Sequence, residues 1–147
     1  MRRRPPAANL IPTTERSLTM PKSEKRGLQR LLAASAFSAA GLRAAWRCEE
    51  AFRQEAVLAA ALTPMAFWLG QNAMQRSLLM ASLLLVLIVE LLNSALEAVV
   101  DRIGHELHEL SGQAKDMGSA AVLLSLLLAV AVWGGIAWDR FGAGMSR

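Results

Sequence analysis

One short run of the sequence carries the sharpest chemical signal. From Glu90 to Asp101 it reads ELLNSALEAVVD. At about 100° per helical residue, Glu90, Glu97 and Asp101 fall within about 40° of one another. Asn93 sits on the flank of that face. From Ser77 to Val100 the surroundings are apolar, broken only by Glu90 and Glu97. Ionisable groups in such a setting cost several kcal/mol and point to function by default. The plainer alternative is two protonated glutamates joining helices through hydrogen bonds. Three acids and an amide on one stripe exceed what that task requires. Glu90 and Glu97 are about 10 Å apart along a helix axis, too far to share one metal ion. They suit two roles at two depths: a deeper base and a shallower cation ligand.

A second acidic group, Glu49, Glu50 and Glu55, lies in the segment CEEAFRQE. Magnesium takes hard oxygen ligands, usually one or two carboxylates plus phosphates. One glutamate from this group and one from the 90–101 run could supply them. From spacing alone, a solvated charge cluster at a membrane border is the simpler account of the group. Between Asp101 and Ser119 the chain is hydrophilic and reads as a loop. His105 and His108 do not complete the H-E-x-x-H zinc pattern, because Glu109 stands in the second His position. Lys115 and Asp116 could meet a phosphate and an ion respectively. A helix expected to begin near Gly118 would offer free amides to an anion. Neither a Walker A motif nor a kinase-type Gly-rich loop is present.

The elements that must position these groups are apolar. Hydrophobic residues make up 54% of the 147 and charged ones 19%, with a net charge of +4. Such a balance argues against a disordered chain and against a nucleic-acid partner. The one cysteine, Cys48, allows no internal disulfide. Three long segments follow residue 55. Ala56–Met74 and Gly118–Trp138 carry no charge, and Ser77–Val100 carries only the two glutamates. A bilayer core needs about 20 apolar residues per helix. The expected fold is therefore an all-α membrane protein with transmembrane helices over about 56–74, 77–100 and 118–138. Pro64 lies in the first, where lipid-embedded helices tolerate it. Trp68, Trp133 and Trp138 fall near span ends, as interfacial aromatic residues do.

Ahead of the spans, residues 28–50 read as an amphipathic helix. Leu28, Leu31, Leu32, Ala39, Leu42 and Trp46 share a stripe of about 100°, with Arg30, Arg43 and Arg47 off it. Such a helix can lie on a membrane surface or pack as an ordinary bundle helix. Residues 1–25 hold six basic residues and four of the five prolines. No apolar run follows their arginines, so they are not a secretory signal. They read as a disordered basic tail, or as residues ahead of a true start at Met20. Residues 143–147 are a short C-terminal tail. Eleven of the sixteen Lys and Arg precede the first span, and Arg102 and Lys115 lie between the second and third. That bias puts the N-terminus and the 101–117 loop in the cytoplasm and the C-terminus outside.

Three stretches, Gly41–Glu55, Val89–Gly104 and His108–Leu123, resemble the small integral-membrane diacylglycerol kinases of bacteria. The resemblance runs in order from about residue 26 to residue 142. It implies a homotrimer of three-span subunits with N-terminal surface helices, in the bacterial inner membrane. It also implies transfer of the γ-phosphoryl group of MgATP to diacylglycerol, giving phosphatidate, among other membrane lipids. Matched by motif, Glu90 looks like the catalytic base. Glu49 and Glu97 look like ligands of the nucleotide-bound Mg2+. Asn93, Lys115 and Asp116 look like active-site and nucleotide residues. Arg30, Phe37, Glu106, Leu107 and His108 resemble nucleotide contacts.

For the lipid, the resemblance implies two segments and some isolated positions. Along the surface helix these are Arg30, Ala34, Ser35, Ala36, Phe37, Ser38 and Ala39, then Arg43, Ala44, Ala45 and Trp46. Next come Ala51, Phe52, Arg53, Gln54 and Glu55. Trp68, Arg76, Glu90, Ser119 and Trp133 complete the set. Phe37 departs from the family's tyrosine, and Cys48 replaces a polar residue beside Glu49. Neither removes a needed carboxylate. The same scaffold would serve an undecaprenol kinase, and a non-enzymatic reading would have Glu90 and Glu97 line an ion pathway. The topology is directly testable. A reporter that works only outside the cytoplasm, fused after Arg147, should be active, and cytoplasmic activity there would mean an even number of spans.

Overall fold

The computed structural model describes residues 27–103 and 108–142. These form four helices: α1 (Leu28–Cys48), α2 (Glu50–Leu69), α3 (Ala73–Ile103) and α4 (Glu109–Phe141). The described residues contain no strand. The expected tail, residues 1–25, and the expected nucleotide contacts Glu106 and Leu107 lie outside the described residues. α3 and α4 are each long and apolar enough to cross a membrane. α3 packs most extensively on α4 and less on α2. A core of Ala66, Leu69, Leu79 and Ile136 closes the end where α2 stops and α3 begins. There Trp133 Nε1 donates to Ser82 Oγ at 3.2 Å.

The first apolar segment is shorter as a helix than its sequence. α2 stops at Leu69, with Gly70 extended beyond it at φ −72° and ψ 120°. The residues that follow have better partners outside the helix. Arg76 Nε donates to the Gly70 carbonyl at 2.9 Å, and Asn72 Oδ1 accepts from the Gln75 amide at 2.9 Å. Asn72 thereby caps the first turn of α3. A Cβ at Gly70 would lie 2.7 Å from Arg76 Cγ, so a side chain there would force the turn to shift. Residues 73–74, expected at the end of the first span, belong to α3.

The expected 101–117 loop is largely helical. α3 continues to Ile103 and α4 begins at Glu109, with His108 as its cap. His108 Nδ1 accepts from the Leu110 amide at 3.2 Å. Glu109 lies in the first turn, where an acid complements the helix dipole. Gln113 Nε2 donates back to Glu109 Oε1 at 3.2 Å. With the turn satisfied locally, the helix starts well before Gly118. The free amides expected near Gly118 are therefore taken up in the helical ladder.

α1 makes little contact with its own chain. Ala45 is its one buried residue among those described. Leu28, Leu31, Leu32, Leu42 and Trp46, the expected apolar stripe, are all exposed. Ala39 of the same stripe is half-buried.

At the far end of the bundle, Arg140 ties α4 to α2. Its Nη1 donates to the Trp68 and Leu69 carbonyls, which α2 leaves unpaired at its end. The guanidinium also lies 4.5 Å from the Trp68 ring centroid. Charge-assisted hydrogen bonds and cation–π contacts of this kind contribute about 1–2 kcal/mol where partly exposed. Arg140→Ala should lower the stability of the detergent-solubilised protein by about that amount. Unfolding followed by circular dichroism would check it, and an unchanged midpoint would remove this contact from the fold's supports.

Candidate active site

The acidic stripe of α3 grades from dry to wet. Glu90 is 4% exposed. Asn93 and Glu97 are half-buried, and Asp101 is exposed. The helical repeat puts them on one face, and packing against α2 and α4 covers the Glu90 end. Asn93 Nδ2 donates to Glu97 Oε1 at 3.1 Å, one turn on. Asn93 Oδ1 is buried and has no hydrogen-bond partner among the described residues.

Glu49 reaches this stripe from an elbow between α1 and α2. It ends one helix and begins the next, at φ −105° and ψ 116°. Arg53, one turn into α2, fixes the elbow. Its Nη1 donates to the carbonyls of Trp46 and Arg47 at 3.2 and 3.3 Å, which α1 leaves free. Glu49 lines one groove with Leu91, Ser94 and Ala98 of α3, beside the face that carries Glu90. Glu90 acts on Glu55, one helical turn past the elbow. Carboxylates from the elbow, α2 and α3 thus share one region.

A cation stands at the wet end of the stripe. Lys115 Nζ lies 2.5 Å from Asp101 Oδ1. The hydrogen bond to Asp101 holds the Lys115 ammonium above the ordinary lysine range, and Glu97 acts on it in the same direction. Asp116 is exposed beside it. In the sequence, Asp101 has no evident partner. Its place on the acidic stripe was the available signal, and the pairing with Lys115 depends on how α4 packs on α3.

The remaining expected residues separate into groups. Arg30 and Phe37 are exposed on α1, as are Ala34, Ser35, Ala36 and Ser38. Ser35 and Ser38 donate back to the Leu31 and Ala34 carbonyls of their own helix. Arg43, Ala44 and Trp46 are exposed, and Ala45 is buried. On α2, Phe52 is buried, Ala51 and Gln54 are exposed, and Arg53 caps α1. Ser119 is exposed on α4. His108 caps α4. Trp68 and Arg76 are not brought to the carboxylates. They sit at the opposite end, and Arg76 is about 21 Å from Glu90 along the α3 axis. Glu55 and Trp133 line one apolar groove of about 290 Å³ between α2, α3 and α4.

Among the described residues, no three His, Cys, Asp or Glu side chains gather as an all-protein metal cage. Two carboxylates with spare lone pairs suit magnesium, which keeps water and phosphate oxygens in its shell.

The family model for prokaryotic diacylglycerol kinase matches residues 36–137. The chain belongs to that family. A diacylglycerol kinase of Escherichia coli K12 is 55% identical over 116 residues, covering 79% of this chain and 95% of the relative. One from Haemophilus influenzae is 51% identical over 110 residues, covering 75% and 93%. One from Pseudomonas aeruginosa is 50% identical over 113 residues, covering 77% and 92%. The matched region of this diacylglycerol kinase family member contains every carboxylate described above.

Glu55 lies just ahead of the uncharged part of α2. Burial, and then the Glu90 charge, push its carboxyl from 4.5 to about 7. A carboxyl whose pKa rises on folding favours the fold while protonated. That contribution is complete below the unfolded pKa and is lost as pH rises through about 7. Wild-type stability in detergent should therefore fall between about pH 5 and about pH 8 relative to Glu55→Gln. Parallel pH profiles for the two proteins would show that Glu55 titrates normally.

Proposed function

We propose that this chain is a membrane-embedded lipid kinase. It transfers the γ-phosphoryl group of MgATP to the free hydroxyl of diacylglycerol, giving phosphatidate. The observation that carries the reading is the graded acidic stripe of α3, with Glu49 brought to it, in a chain of this family. The relatives named above are diacylglycerol kinases, which does not favour an undecaprenol acceptor or an ion pathway.

Phosphoryl transfer needs alignment and charge neutralisation more than covalent chemistry. A lipid alcohol is a poor nucleophile, so a base must take its proton as the new P–O bond forms and the bond from the γ-phosphorus to the departing ADP breaks. Glu90 Oε is that acceptor, held where water is scarce and an acyl chain can lie alongside. Glu49 and Glu97 would hold magnesium, which when bound offsets charge on the polyphosphate. Asn93 fixes one oxygen of Glu97 and leaves the other free. Lys115 exchanges Asp101 for a phosphate oxygen, and Asp116, Arg30 and His108 complete the nucleotide contacts. The groove between Glu55 and Trp133 takes an acyl chain.

The membrane arrangement follows the same reading. α2 joins α3 and α4 as a third crossing, with α1 on the cytoplasmic surface of the inner membrane. The resemblance to the family supports a homotrimer, and neighbouring copies and lipid would cover the exposed apolar residues of α1 and of the bundle. The N-terminus is cytoplasmic and the C-terminus is outside.

Glu90→Gln separates the base from the metal ligands. It should lower turnover by at least about 10²–10⁴-fold. MgATP binding and assembly should survive, and added magnesium should not restore the rate. Glu49→Gln and Glu97→Gln should instead lose rate in a manner that magnesium partly restores. A coupled assay in mixed micelles with diacylglycerol reads all three. Turnover of Glu90→Gln above about a tenth of wild type would rule out the base role.

A further inference from the structure

Four glycines lie inside α4: Gly112, Gly118, Gly134 and Gly135. Each weakens a helix relative to alanine. Three of them face open space, since a Cβ at 112, 134 or 135 would meet nothing within 4 Å. Gly118 differs. A Cβ there would press inside the van der Waals contact of Asn93 Oδ1 and lie 3.2 Å from Leu96 Cδ2. The missing side chain is therefore a notch in α4 that receives the Asn93 amide.

The Asn93 amide is planar, so seating one end aims the other. Oδ1 lies against the notch, buried and without a hydrogen-bond partner among the described residues. Nδ2 is thereby turned along α3 toward Glu97 Oε1, at 3.1 Å. A Cβ at 118 would push the amide off this seat, and the donor would leave Glu97. Nothing else described holds the Glu97 carboxylate by a hydrogen bond. We propose that Gly118 is a positioning residue for Glu97, acting through Asn93. The inference rests on Glu97 being a ligand of the nucleotide's magnesium. Partners that orient a ligating carboxylate commonly matter for metal affinity about as much as outer-shell hydrogen bonds do elsewhere.

The test uses the full chain in micelles and reads binding of a non-hydrolysable ATP analogue by calorimetry across magnesium concentrations. Gly118→Ala should weaken magnesium-dependent binding by about tenfold or more. Asn93→Ala should weaken it similarly. In the Asn93→Ala background, adding Gly118→Ala should cost less than about twofold, because the seat is already empty. A general packing defect would instead cost the same in both backgrounds, and that result would overturn the proposal. If Gly118→Ala alone does not fold, the Asn93→Ala pair relieves the collision. Recovery of folded protein with the binding of Asn93→Ala then supports the proposal, and failure to recover overturns it. Glu97→Gln is measured alongside. Weak binding in Glu97→Gln with normal binding in Gly118→Ala overturns the role of Gly118 alone. Normal binding in Glu97→Gln overturns the metal reading and this inference with it.

Discussion

Glu90 is 4% exposed on a stretch of α3 that carries one other charge from Ser77 to Val100. Keeping a carboxyl group there costs free energy, which points to a use for it. The rest of the bundle answers to that cost. α3 lies between α2 and α4, so the dry end of its stripe is covered from both sides. The acids that follow it, Glu97 and Asp101, come progressively into water. A lipid hydroxyl and a nucleotide arrive from different phases, and a stripe graded in this way can meet both.

Helix ends set the next constraint. Their first amides and last carbonyls have no partner within the helix. Four of the helix ends have a dedicated side chain. Arg53 takes the last carbonyls of α1, Arg140 those of α2, Asn72 the first turn of α3, and His108 that of α4. Arg53 and His108 are also residues that the family resemblance links to substrates. A side chain that closes a helix is already fixed in place, and holding it there lowers the entropy lost when a ligand binds.

The α1–α2 elbow shows how these constraints meet. Glu49 carries the chain from one helix to the next in an extended conformation. Its side chain then approaches α3 from outside the bundle rather than from within a helix ladder. A continuous helix through residues 28–69 would have taken Glu49 with it. The break is small in the backbone and decides whether a second carboxylate reaches the stripe.

The sequence alone determined what is local and periodic. Helical repeat aligned Glu90, Asn93, Glu97 and Asp101, because 3.6 residues per turn is a property of the backbone and needs no partner. Uncharged length marked out the apolar helices for the same reason. Local reading failed where a side chain elsewhere changed the balance. Of the loop expected over 101–117, residues 109–117 are helical because His108 and Glu109 start α4 early. The first apolar segment ends at Leu69 because Gly70, Asn72 and Arg76 form a better turn than helix. Only the tertiary structure decided that Lys115 pairs with Asp101, and that Gly118 faces Asn93 while the other α4 glycines face open space. Those contacts depend on the rotation and register of α4 against α3. Many side chains set these jointly through packing, and no short stretch of sequence encodes them.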